Sequence, residues 1–212
     1  MYLLPGIAIY SVDKLMALYA YHKSEPVATR LLSMNVLEVS FETSPRVTYE
    51  AGAYVLLNVP SISFLEWHPF SITSAPSVHG NKVFFHVKNA GAWTEQVIEE
   101  ATTGSGYLRV RLDGFYGLNN GLCEVGANKD GMILVGGGIG VTPMLSLGLE
   151  MAKLKRIPVT IVWVVRTVEE FSIFSTGMQF CNLMYTLQFN AITVLTASGV
   201  LNLTYRTHKG ST

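Results

Sequence analysis

The 212 residues are 49% hydrophobic and 14% charged, and 15 basic side chains balance 15 acidic ones, so the formal charge is zero. A neutral chain lacks the basic footprint of a nucleic-acid binder, and its apolar content excludes disorder, which needs low hydrophobicity with high net charge. Two cysteines, Cys123 and Cys181, are too few for a disulfide scaffold or a zinc cluster, and the length suits one or two domains.

In chain order, residues 1–21 open with an apolar run that Asp13 and Lys14 interrupt. A spanning helix needs roughly 20 mostly apolar residues and a secretory signal needs a basic start, so neither pattern is complete here. Residues 27–112 then read as short strands separated by Gly, Pro, Ser and Asn. In residues 82–88 strict alternation puts Val83, Phe85 and Val87 on one face, and residues 53–59, 68–74 and 107–112 have similar lengths. Strands at this spacing predict a small antiparallel barrel or sandwich, interrupted by one short helix at about residues 94–101.

After the turn-rich stretch 113–130 the pattern changes. An apolar strand at residues 132–136 leads through a glycine turn into a helix at 142–154, then into strands at 159–165 and 192–197. Alternating strand and helix predicts βαβ units on a parallel sheet, and hence a second lobe beginning near residues 121–130. Residues 171–205 carry no charge, yet the polar residues scattered through them prevent a sustained apolar run.

The turn itself is Gly136-Gly137-Gly138-Ile139-Gly140-Val141-Thr142-Pro143. Glycines let the backbone approach a diphosphate, the helix N-terminus supplies free N–H groups, and Pro143 suits a first helical turn. Val141 stands where the dinucleotide fingerprint has its third small residue, and no Gly-Lys-Ser/Thr follows, which disfavours ATP or GTP hydrolysis. A tight turn without ligand is the competing reading. The second strand of this lobe ends in Arg166, the position at which an arginine accommodates the 2′-phosphate of NADP; the alternative is a solvated strand-end arginine.

Upstream, His68-Pro69-Phe70-Ser71-Ile72-Thr73-Ser74-Ala75-Pro76 offers an imidazole, an aromatic ring and several hydroxyls at the end of a barrel strand. These groups suit a planar cofactor that carries phosphate. The alternatives are a capped loop histidine, a core ring and self-bonded hydroxyls. The five histidines form no i, i+4 pair, so no metal site is expected.

Three motifs in order carry a resemblance: residues 68–76, then His86-Val87-Lys88 through Gly91-Ala92-Trp93-Thr94, then residues 134–143 with the glycine turn. Asp113-Gly114-Phe115-Tyr116-Gly117 and Trp163-Val164-Val165-Arg166 add to it. The sequence resembles the flavin dehydrogenase region of the NADPH oxidase and ferric reductase family, which is related to ferredoxin–NADP reductases. The resemblance implies two lobes: an antiparallel FAD-binding β-barrel over residues 23–121, and a Rossmann-like parallel-sheet NADPH-binding α/β domain over residues 130–212, truncated at its C-terminal end. Residues 1–22 would be the end of a membrane helix.

By the same resemblance, FAD is held by His68, Pro69, Phe70, Ser71, Thr73, Ser74, His86, Lys88, Gly91, Trp93 and Thr94. His68 would lie against its diphosphate, with backbone N–H groups from Gly91, Trp93 and Thr94. Phe70 would pack on the isoalloxazine and Ser71 would approach flavin N5, which makes this pair the catalytic candidates. Gly136, Gly137, Gly138, Ile139, Gly140, Val141, Thr142 and Pro143 would cradle NADPH, with Arg166 near its 2′-phosphate. The implied chemistry moves a hydride from NADPH to FAD, then single electrons to haem in an absent membrane domain, and on to oxygen or ferric iron. The N-terminus would meet that haem domain or the bilayer, with the dehydrogenase lobes on the cytosolic side. The competing readings are a non-catalytic nucleotide-binding remnant packed on a membrane partner, and a soluble ferredoxin–NADP-reductase-like enzyme.

Overall fold

The computed structural model describes residues 3–20, 24–104, 106–117, 131–154, 158–165, 189–196 and 199–203. Helix α1, Leu3–Ala20, has 18 residues and so runs about 27 Å at 1.5 Å per residue. Among the described residues no helix is long and apolar enough to cross a membrane, in keeping with the interrupted N-terminal run. Leu4, Ile7, Ile9, Tyr10, Val12 and Leu15 of α1 are nevertheless each more than half exposed.

The first lobe is built from β1 (Glu25–Ser33), β2 (Val36–Glu42), β3 (Tyr54–Asn58), β4 (His68–Ser71), β5 (Lys82–Lys88) and β6 (Tyr107–Tyr116). They form one sheet in the order β4-β3-β6-β1-β2-β5, and the Ile72–Phe85 bridge joins its two edges into a barrel. The barrel expected from the sequence is present, and the alternation in β5 sets its interior: Val83, Phe85 and Val87 are 0% exposed. Their two-residue period fits a pleated strand with one buried face. Strand β6 runs four residues past the expected end at Leu112, because the chain stays paired with β3 as far as Tyr54–Tyr116 across a register shift.

Two helices complete this lobe. The short α2, Pro76–His79, was not expected; its signal is Pro76, whose fixed φ and missing N–H suit a first helical position. Helix α3, Ala92–Thr103, starts two residues before the expected 94, and the reason is Thr94. Its Oγ1 accepts hydrogen bonds from the Ala90 and Gly91 N–H groups at 2.9 and 3.1 Å, satisfying donors at the helix entrance. Val97, Ile98 and Ala101 bury the inner face of α3 on the barrel core.

The second lobe contains β7 (Met132–Gly137), a 3-10 turn (Gly138–Gly140), α4 (Val141–Leu154), β8 (Val159–Val164), β9 (Phe189–Thr196) and β10 (Gly199–Leu203). The strand order is β10-β9-β8-β7, with β7–β8 and β8–β9 parallel. This is the predicted βαβ arrangement. The antiparallel β10, which the sequence did not reveal, closes on β9 as a hairpin. The lobe boundary near residues 121–130 and the mixed segment after β8 lie outside the described residues.

Candidate functional site

Two clusters of candidate residues lie on different lobes. In the barrel, β4 presents His68 to Ser71, and its pairing with β3 runs from Tyr54–Ser71 to Leu57–His68. The His68 imidazole stacks on the Trp93 indole of α3, with centroids 4.0 Å apart and the planes inclined by 31°. Phe70 continues the same aromatic group, 6.2 Å from Trp93 and 5.5 Å from Phe85. Nε2 of His68 and Nε1 of Trp93 are both buried and have no hydrogen-bond partner among the described residues. A buried N–H left without a partner costs roughly 1–3 kcal/mol, so the Trp93 indole calls for an acceptor, and the imidazole beside it can supply a second donor to the same group. The Glu66 carboxylate stands 4.0 Å from His68 Nε2, beyond hydrogen-bonding distance.

The start of α3 adjoins this stack. A Cβ built on Gly91 meets nothing within 4 Å, and the backbone of Gly91 is extended, so neither packing nor conformation requires glycine there. Free space at the positive end of a 12-residue helix, beside two unpartnered ring nitrogens, fits a diphosphate.

The neighbouring hydroxyls and His86 are used differently. Thr73 and Ser74 are 0% exposed and His86 is 5% exposed. Thr73 Oγ1 is 2.9 Å from His86 Nδ1, and His86 Nε2 is 3.7 Å from a Glu38 carboxylate oxygen. Ser74 Oγ accepts hydrogen bonds from the Tyr49 hydroxyl at 2.8 Å and the Phe84 N–H at 3.2 Å. The side chains of these three residues, expected to hold FAD, are buried and bonded to neighbours inside the lobe beside β4. Burial raises the Glu38 carboxyl, but hydrogen bonds and charge from His86 and Arg30 outweigh that and hold it below the ordinary carboxylate range.

In the second lobe the glycine turn has the geometry the sequence suggested. A Cβ on Gly136 would sit 2.7 Å from the Val141 Cα, and Gly138 has φ +49°, so these two are glycine for internal reasons. Gly137 and Gly140 are different: a Cβ on either meets nothing within 4 Å. The turn is fastened from below by Trp163 Nε1, which donates to the Gly138 carbonyl at 2.7 Å. Val141 is 0% exposed in the core, and Thr142, 5% exposed, donates from Oγ1 to the Ile139 carbonyl at 3.0 Å. Both therefore shape the turn with their side chains, and the Val141 N–H is itself bonded back to the Gly138 carbonyl. Arg166 lies outside the described residues.

The sequence reading missed Ser146 and Glu150, which join the two lobes. The available signal was spacing: Thr142, Ser146 and Glu150 fall four apart on one face of α4. Among the described residues no group of three or more His, Cys, Asp or Glu side chains could hold a metal.

Known proteins match both halves in order. An FAD-binding domain family matches residues 22–120, and a ferric reductase NAD binding domain family matches residues 129–196. The chain belongs to the NADPH oxidase and ferric reductase family. It is 33% identical over 150 residues to ferric reduction oxidase 5 of Arabidopsis thaliana, covering 70% of this chain and 21% of that protein. Against NADPH oxidase 1 of Mus musculus the identity is 32% over 185 residues, covering 82% of this chain and 30% of that protein. The chain thus spans between about a fifth and a third of the curated family members it matches.

Solved structures show the same fold. The Amycolatopsis cytochrome P450 reductase GcoB superposes with a TM-score of 0.59 at 18% identity, over 82% of this chain and 52% of that one. The ferredoxin-NADP+ reductase of Plasmodium falciparum gives 0.57 at 16%, over 83% of this chain and 68% of that one. This member of the family thus carries one FAD-binding and one nicotinamide-nucleotide-binding domain.

Proposed function

We propose that the chain takes reducing equivalents from NADPH onto FAD and passes single electrons to a haem-bearing membrane partner, and from there to oxygen or ferric iron. The observation that carries this reading is the pair of unpartnered buried nitrogens, His68 Nε2 and Trp93 Nε1, at the open start of α3. FAD, when bound, supplies the conversion from hydride to single-electron chemistry.

The chain's own residues bind and orient. His68, Trp93 and the first N–H groups of α3 receive a diphosphate, with Gly91 leaving room for it. Phe70 and Ser71, next along β4, are assigned to the flavin ring, and Lys88 to the phosphates. Gly137 and Gly140 admit the NADPH diphosphate to the N-terminus of α4, whose helix is long enough to present a positive pole. No side chain is asked to act as general acid or base. Exposed apolar side chains along α1 support a contact with a membrane or its haem domain, and the lobes are assigned to the cytosolic side, where NADPH is met.

The test is to purify the chain with added FAD and follow its absorbance under anaerobic conditions. A bound flavin band bleached by NADPH is expected. FAD that binds but is reduced by neither pyridine nucleotide would point to a nucleotide-binding module without turnover, and failure to retain flavin in a folded chain would overturn the reading of β4.

A further inference from the structure

The helix that carries the glycine turn is bolted to the segment that follows β4. Ser146, 0% exposed, donates from Oγ to the Ser74 carbonyl at 2.6 Å and accepts from the Gly52 N–H at 3.2 Å. One turn further along α4, Glu150 accepts from the Ser77 N–H at 3.1 Å and from the Ser77 hydroxyl at 2.8 Å. The same region is closed by packing, since Ala75 belongs to the apolar core of the second lobe together with Val141, Leu145 and Leu149. Behind Ser74, the Tyr49 hydroxyl and the Phe84 N–H hold its Oγ, so the anchor on the barrel side is itself immobilised.

These bonds join two short stretches of chain. Ser74 lies three residues after Ser71, and Ser146 lies one helical turn after Thr142. A shift of α4 along or about its axis would break the Ser146 and Glu150 bonds together, because both project from one face of a rigid helix. Domains joined through smaller or more polar interfaces move relative to one another by default, so a buried hydroxyl and a carboxylate at this seam restrict a motion that would otherwise be present.

We propose that Ser146 and Glu150 are positioning residues that fix the glycine turn relative to β4, and so set the approach of the nicotinamide to the flavin. This rests on the oxidoreductase reading above. Misplacing reacting groups by about 1 Å can cost around a hundredfold in rate, so loosening the seam acts on the rate of transfer more than on binding.

The experiment uses the full chain, purified with FAD, as Ser146→Ala, Glu150→Ala and Glu150→Gln. Amide exchange reads the seam directly: Ser146→Ala should accelerate exchange at Gly52, and Glu150→Ala at Ser77. Flavin retention and NADP+ affinity should stay within about twofold, while the limiting rate of flavin reduction at saturating NADPH falls by at least about tenfold. Glu150→Gln, which keeps an acceptor oxygen, should restore most of that rate. Freed amides with an unchanged limiting rate would overturn the proposal, as would loss of both ligands in all three variants. If the parent chain binds both nucleotides and is never reduced, the oxidoreductase reading fails on its own. The seam is then judged by whether NADP+ alters FAD affinity in the parent but not in Ser146→Ala; equal coupling in both would overturn it.

Discussion

Gly136 and Gly137 are adjacent, yet a methyl group added to each would have opposite consequences. At Gly136 it would lie 2.7 Å from the backbone of Val141, and either the turn or the start of α4 would have to move. At Gly137 or Gly140 it would meet nothing within 4 Å among the described residues. Gly136→Ala should therefore lower the melting temperature. Gly137→Ala and Gly140→Ala should leave it unchanged or slightly higher, since removing backbone freedom from the unfolded chain stabilises by about 0.4–1 kcal/mol where the conformation allows it. The latter two should weaken NADP+ binding, measured by calorimetry on the folded variants. Loss of stability without loss of nucleotide affinity at Gly137 would contradict the assignment of that space to a ligand.

At the scale of elements, α2 shows how a four-residue helix becomes important through its surroundings. Its His79 packs edge-on to Phe84, and Nδ1 accepts from the Ala75 N–H at 2.9 Å. Burial pushes the His79 imidazole below the ordinary histidine range, helped by the charge of Lys82 and opposed by the Ala75 carbonyl, 3.1 Å from Nδ1, which favours the protonated ring. The unfolded chain then binds the proton more readily than the folded one. Stability is full above the ordinary histidine range and is lost as pH falls through it towards the depressed folded value. Replacing His79→Asn should flatten that fall in a series of urea denaturations, whatever its effect at neutral pH; an unaltered pH profile would show that His79 does not control it. The alternation of β5 and the glycine turn before α4 were legible in the sequence because each is a local pattern of neighbours. The role of α2 was not, since it depends on the α4 side chain of Glu150, which lies 73 positions from Ser77.

For the whole molecule, the question is what covers α1. Six described apolar side chains of this helix are more than half exposed. A contiguous exposed apolar surface of this kind marks contact with a membrane surface or with another apolar element. Changing Ile7, Ile9 and Leu15 to serine should leave the thermal unfolding of the two lobes within a few degrees of the parent, and should reduce flotation with phospholipid vesicles. Undiminished flotation would assign membrane contact to another surface.

The sequence by itself determined the two-lobed order, the barrel face of Val83, Phe85 and Val87, and the glycine turn that opens α4. Each follows from steric and hydrophobic rules acting over a few residues. Only the tertiary structure decided which polar groups remain available. Thr73, Ser74 and His86 sit among motif residues that read as ligands, and the fold buries them and gives their side chains partners inside the lobe. His68 and Trp93 are brought together from separate elements with their ring nitrogens left without acceptors. Ser146, an unremarked serine in an apolar helix, becomes the link between lobes because folding carries it to a carbonyl 72 positions away. Whether a polar group is satisfied depends on every chain segment that reaches it, and no local pattern contains that information.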